Sequence, residues 1–107
     1  MDSQISNDPV LGRLRAALAK TYGDRLERAV LFGSRARGDF RPDSDYDVAV
    51  FIRDPDAWFD EVVRLADLGT DILMDTGAVI SAKPFRAGAY KDPLPLMQEI
   101  QRDGLDL

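Results

Sequence analysis

Two short apolar runs separated by a polar stretch constrain the fold of this chain more than any other feature. The runs are Ala29–Phe32 and Val48–Ile52, and turn-forming residues follow the first run and precede the second. Runs of this length that are rich in Val, Ile and Phe are typical of β-strands. The connection between them is too long for a tight hairpin, so we expect it to carry functional residues.

Two aspartates introduce the second run. Side chains alternate between the two faces of a strand, so Asp45 and Asp47 are expected to point the same way, roughly 6.6 Å apart. Asp is rare in strands, and an unpaired buried carboxylate is costly. A divalent cation with oxygen ligands would explain the pair. Alternatively, residues 43–45 form only a turn, which leaves Asp47 unexplained.

The pair Gly33-Ser34 directly follows the first run. Glycine at the end of a strand lets the backbone approach a ligand closely. The residues after it can begin a short helix, whose first N–H groups and the Ser34 hydroxyl could bind a phosphate. Alone, such a pair is more often a plain turn. Together with two aspartates on one face it predicts a nucleoside triphosphate with its metal.

Gly33-Ser34, ten further residues and Asp45-Tyr46-Asp47 form the pattern GS-x10-D-x-D. This is the signature of the DNA polymerase β-like nucleotidyltransferase superfamily. The surrounding LFGSRARGDFRPDSDYDVAVF resembles the minimal nucleotidyltransferases (MNT), the MntA-type antitoxins of HEPN/MNT toxin–antitoxin pairs. The resemblance implies a small α+β nucleotidyltransferase fold, a short mixed sheet flanked by helices, with residues 1–107 forming a single domain.

The resemblance also implies the chemistry. Asp45 and Asp47 would be catalytic residues and ligands of Mg²⁺, and Gly33 and Ser34 would bind the phosphates of ATP. The protein would transfer AMP from ATP to a hydroxyl, expected to be a tyrosine, of a HEPN-domain ribonuclease toxin and so neutralise its partner. The toxin motif needs a histidine, and this chain has none.

One expected feature of the family is missing. Its third carboxylate usually lies on the next strand, but our third predicted strand, residues 78–85, contains no Asp or Glu and has Ser81 at its middle. Asp71 could replace it only if residues 70–74 were a strand, and the helical spacing from Trp58 to Leu73 favours a helix. The alternative function is therefore a degenerate fold that neutralises its toxin by binding alone. A transferase for small molecules fits less well, because no second domain for the acceptor is visible.

Composition excludes other classes of function. The absence of histidine and cysteine excludes Ser-His-Asp and Cys-His catalysis, zinc sites built from these residues, and disulfides. A net charge of -5 argues against direct binding of nucleic acid. Arg35, Arg37 and Arg41 form a local exception, either as a solvated loop or in contact with phosphates or an acidic partner. No membrane span or signal peptide is visible, so we expect a cytoplasmic protein.

The remaining pattern predicts three helices. The first begins with Asp8 as its cap and Pro9 at its first position, and ends at Gly23. A long helix over residues 55–76 begins at the Asp54 cap and ends at Gly77. Its apolar stripe is broad enough for part of it to face a partner, although core packing is favoured. A loop over residues 86–92 and a helix over 93–103 complete the chain, and the polar residues 1–7 are expected to fray.

Overall fold

A computed structural model describes residues 7–107; the first six residues of the predicted frayed terminus lie outside it. The helices and strands, in chain order, are α1 (Pro9–Tyr22), β1 (Leu26–Phe32), α2 (Ser34–Arg37), β2 (Tyr46–Ile52), α3 (Trp58–Thr76), β3 (Ile80–Arg86), α4 (Pro95–Asp103) and β4 (Leu105–Asp106). Single 3₁₀ turns at Gly23–Arg25 and Ala89–Lys91 lie between them.

The four strands form one mixed sheet in the order β3-β2-β1-β4. Strand β1 pairs antiparallel with β2 and with β4, and β2 pairs parallel with β3. Helices α1 and α3 share one core with a face of the sheet, and α4 packs on the other face. The predicted α+β architecture, a short mixed sheet flanked by helices, is therefore confirmed.

Side chains along β2 alternate between the two faces of the sheet, and the candidate site lies on one of them. Tyr46, Val48 and Val50 point into the core beneath α1 and α3. Ala49 and Phe51 point into the smaller core beneath α4. Because side chains alternate, Asp47 lies on the α4 face, at the end of the strand where that core stops.

The predicted start of α1 is confirmed, and that of α3 is wrong. A carboxylate oxygen of Asp8 accepts the N–H of Val10 at 2.8 Å, with Pro9 at the first position. Helix α3 begins only at Trp58, because the preceding residues are held in a turn. Asp54 has a positive φ of 47° and its carbonyl accepts a hydrogen bond from Arg25, so it cannot cap a helix there.

Other elements also differ from prediction, and β1 already begins at Leu26, before the predicted run from Ala29. Strand β3 runs over Ile80–Arg86 rather than 78–85; Pro84 is tolerated inside it because β3 is the edge strand of the sheet and, among residues 7–107, has a sheet partner on one side only. Helix α4 begins at Pro95 rather than 93, since the residue before a proline avoids helical geometry. The two residues of β4 were not predicted, because so short a strand has no periodicity. None of the described helices is both long and apolar enough to span a membrane.

Candidate active site

Gly33 lies against Asp47 where β1 ends. Phe32 and Asp47 are register partners, so the chain turns away at Gly33 beside that aspartate. Gly33 has a φ of 75°, and a Cβ added to it would lie 3.3 Å from Cγ of Asp47 and closer still to its Oδ2. Both the backbone conformation and this contact require glycine. The two halves of the predicted motif therefore meet in space.

Ser34 opens the short helix α2 beside this contact. The N–H groups of Ala36 and Arg37 both donate to the carbonyl of Gly33 at 3.1 Å, which closes the first turn. The N–H groups of Ser34 and Arg35 precede these bonds and have no acceptor within the helix. The half-buried Ser34 thus offers a hydroxyl and an N–H next to Asp47.

Asp45 and Asp47 differ in their surroundings. Strand β2 begins at Tyr46, so Asp45 is the last residue of the loop rather than part of the strand, and it is exposed. Asp47 is half-buried. The pKa of Asp47 is raised, first by burial and then by the negative charges of Asp45 and Glu99; Lys83 and Arg37 oppose this rise. A carboxylate in this position would gain from a bound cation.

The third position of the site holds no carboxylate. Ser81 is the register partner of Asp47 on β3, where the sequence suggested it. Asp71 lies on helix α3, as predicted, and α3 packs against the opposite face of the sheet. Among residues 7–107 no group of three or more acidic side chains is arranged to hold a metal ion. Within these residues the structure adds no third carboxylate to Asp45 and Asp47.

Sequence reasoning missed two charged neighbours of Asp47. Lys83 is two residues beyond Ser81 and shares its face; its ammonium lies 5.6 Å from the ring centroid of Phe32. The alternation of β3 could have revealed it. Glu99 lies on α4, and its carboxylate is 4.0 Å from the guanidinium of Arg37. No short-range pattern connects it to the motif.

Arg35 holds the loop that carries Asp45. Its guanidinium lies 4.7 Å from the ring centroid of Phe40 and 4.0 Å from that of Tyr46. It also donates to the carbonyls of Ser44 at 2.9 Å and Pro42 at 3.1 Å. Arg35 is thus held by the loop rather than being a solvated loop residue. It fixes the path of the loop just before Asp45.

The family assignment follows from comparison with known proteins. The family described as Polymerase beta, Nucleotidyltransferase matches residues 16–104. The chain belongs to this nucleotidyltransferase family. It is also similar to two proteins of Methanocaldococcus jannaschii that are provisionally named protein adenylyltransferases. They are 42% identical over 66 residues and 48% identical over 45 residues. The matched stretches cover 62% and 42% of this chain but only 60% and 46% of those relatives.

Several solved structures share the fold of this chain. A toxin–antitoxin complex with AMP-PNP superposes with a TM-score of 0.67 at 19% identity, over 89% of this chain and 69% of the other. A provisionally named nucleotidyltransferase of Sulfolobus solfataricus gives 0.64 at 21% identity, over 97% and 81%. A mutant of the MntA-HpeT toxin–antitoxin pair gives 0.64 at 17% identity, over 89% and 69%. At these identities the likeness concerns the fold.

Proposed function

We propose that this nucleotidyltransferase is an antitoxin that transfers AMP from ATP to a tyrosine hydroxyl of a HEPN-domain ribonuclease toxin. The observation that carries the proposal is the contact of Gly33 with Asp47, because it unites the phosphate-binding half of the motif with its carboxylate half. The names of the relatives as protein adenylyltransferases, and the toxin–antitoxin neighbours in fold, support a protein as acceptor.

The residues have distinct roles in this proposal. Ser34 and the backbone at Gly33 bind the triphosphate. Asp45 and Asp47 would hold Mg²⁺, whose charge would offset that of the phosphates and favour ionisation of the attacking hydroxyl. The tyrosine oxygen forms a bond to the α-phosphorus as the bond to the β-phosphate oxygen breaks. Pyrophosphate leaves, and the hydroxyl proton passes to solvent.

A second function has one observation in its favour. Ser81 and Lys83 occupy the face of β3 next to Asp47, where a third carboxylate would complete a stronger metal site. A chain of this kind could neutralise its toxin by association alone. It would then bind the toxin as tightly without nucleotide as with it.

Intact-mass measurement separates the two functions. The toxin is incubated with the chain, ATP and magnesium, and with the Asp47→Asn variant as the matched control. A mass gain of one or more AMP units with the wild-type chain, absent with the variant, supports the transferase. No gain, together with stable binding and neutralisation of the toxin, would establish the binding module instead.

A further inference from the structure

An exposed apolar stripe runs along the outside of α3. Its members recur at alternating intervals of four and three residues: Phe59, Val63, Ala66, Thr70 and Leu73. This interval keeps side chains on one side of a helix and is the spacing by which two helices pack against each other. All five side chains are exposed, although the inner face of the same helix is buried in the core. The stripe therefore takes no part in packing the hydrophobic core.

The size of the exposed side chains sets this stripe apart from ordinary surface. Phe59 is 68% exposed, and Val63 and Leu73 are each 42% exposed. Met74, at 80%, extends the stripe towards the end of the helix. The large side chains lie at the two ends of the stripe, with the smaller Ala66 and Thr70 between them. Several large apolar side chains exposed on one helix face are typical of a protein interface.

A row of carboxylates borders the stripe on one side. Asp60, Asp67 and Asp71 are spaced seven and four residues apart, so they follow the same edge of the helix. Within the described residues none of the three forms an ion pair. The nearby cations are engaged, with Arg13 bound to Asp75 and Arg64 to Asp56. Across the groove, α1 contributes Arg13, which is engaged with Asp75, and Lys20.

The acidic row indicates what kind of partner can bind the stripe. A second copy of the chain docked antiparallel on the stripe would bring one acidic row against the other, which costs energy at every close pair. A helix with apolar residues at the same spacing and Lys or Arg beside them would match both the stripe and its border.

The stripe also reaches the end of the sheet that carries the candidate active site. Leu73 and Met74 precede the turn at Gly77, and the carbonyl of Val79 then accepts the N–H of Tyr46 at 2.9 Å. Tyr46 directly follows Asp45. A helix lying along the stripe would therefore have one end near the loop that carries the motif.

We propose that the outer stripe of α3 binds a basic-flanked amphipathic helix of the protein that receives AMP. This inference rests on the proposed function for the identity of the partner. The partner would then dock on α3, while AMP transfer takes place on the other face of the sheet. A tethered acceptor can then be modified without strong binding at the active site itself.

Adjacent aromatic residues provide a matched test. Phe59 and Trp58 are 68% and 69% exposed, but they point about 100° apart around the helix, so only Phe59 lies on the stripe. Calorimetry with purified, unmodified toxin should show binding at least tenfold weaker for Phe59→Ser and nearly unchanged for Trp58→Ser. Asp67→Lys should also weaken binding about tenfold, whereas Asp24→Lys, which lies outside α3 and the stripe, should not.

The outcomes separate this inference from the proposed function. Equal effects of Phe59→Ser and Trp58→Ser, no toxin binding by the wild-type chain, or tighter binding by Asp67→Lys would overturn it. A dimer of the chain alone in sedimentation, dissociated by Phe59→Ser, would overturn it in favour of a second copy. Stripe-dependent binding without any AMP transfer would refute only the transferase, and the docking surface would stand.

Discussion

At the scale of single residues, the close approach of Gly33 to Asp47 is the most demanding feature of the site. We expect Gly33→Val to weaken binding of a non-hydrolysable ATP analogue with magnesium at least tenfold. A β-branched side chain is strained at a φ of 75° and its Cβ would displace the Asp47 carboxylate. Calorimetric titration measures the affinity.

Gly38 provides the control for that substitution. It also has a positive φ, of 90°, but a Cβ added there would meet no atom within 4 Å. Gly38→Val therefore introduces comparable backbone strain without touching Asp47. Similar losses of affinity in both variants would mean that Gly33 is only a turn residue.

The raised pKa of Asp47 predicts a stability effect of Asp47→Asn in the absence of metal. Folding favours the protonated carboxyl, so this group stabilises the protein below its unfolded pKa and loses that contribution as the pH rises through its folded pKa. We expect the variant to be more stable than wild type at pH 7 and to have a flatter pH dependence, measured by urea denaturation. A less stable variant at pH 7 would contradict this.

With magnesium and ATP present, the wild-type protein should instead be more stable than Asp47→Asn. The wild-type protein gains stability from a ligand that binds only its folded form, and the variant that lacks a metal-binding charge should gain little. A transfer rate of Asp47→Asn equal to that of wild type would refute the metal assignment.

At the scale of elements, α3 determines whether Asp71 belongs to the site. Asp71 is exposed on this helix, so we expect Asp71→Asn to change the free energy of unfolding by no more than about 0.5 kcal/mol. Transfer at saturating partner should also be unchanged. Rates measured beside those of Asp47→Asn test this, and a comparable loss would return Asp71 to the metal site.

How far the sequence predicted the elements depended on the range of the interactions that define them. Local signals sufficed for α1, with its Asp8 cap, and for placing Asp71 on a helix. The start of α3 was missed because contacts beyond the local sequence pattern hold the residues before it. Arg25, distant in sequence, donates to the carbonyl of Asp54. The N–H of Asp56 donates to Glu61, which lies within α3 itself. The contact of Gly33 with Asp47 was foreseeable from the motif, whereas Glu99 joins the site only through tertiary packing.

At the scale of the whole molecule, one buried carboxylate connects the helical layer to the start of the sheet. Glu61 on α3 is 1% exposed. It accepts hydrogen bonds from the hydroxyl of Tyr22 at 3.1 Å, Arg25 at 3.2 Å, the N–H of Asp56 at 2.8 Å, and Arg64. Burial raises the pKa of Glu61, but the hydrogen bonds from Asp56, Arg64 and Tyr22 and the charge of Arg64 outweigh burial, so the net shift of the pKa is downward.

Removing this carboxylate should destabilise the entire fold. We expect Glu61→Ala to cost roughly 2–3 kcal/mol in the free energy of unfolding, because the buried Tyr22 hydroxyl and three less buried donors lose their acceptor. The cost stays below that of breaking a fully buried ion pair, since the side chains of Arg25 and Arg64 are 39% and 35% exposed. Glu61→Gln keeps one acceptor oxygen, which can serve Tyr22 or Asp56 but not both, because the two donate to different carboxylate oxygens. It should therefore cost less than Glu61→Ala, about 1 kcal/mol.

The pH dependence identifies the charge as the cause. A lowered folded pKa means that Glu61 stabilises the protein above its unfolded value of 4.5 and that this contribution is lost as the pH falls towards the folded value. Urea denaturation between pH 3 and pH 7 should therefore show the difference between wild type and Glu61→Gln shrinking on acidification. Glu27→Gln, at an exposed carboxylate that accepts only the N–H of Gly88 among the described residues, is the control. A wild-type advantage that stays constant across this range would assign the effect of Glu61 to packing rather than to its charge.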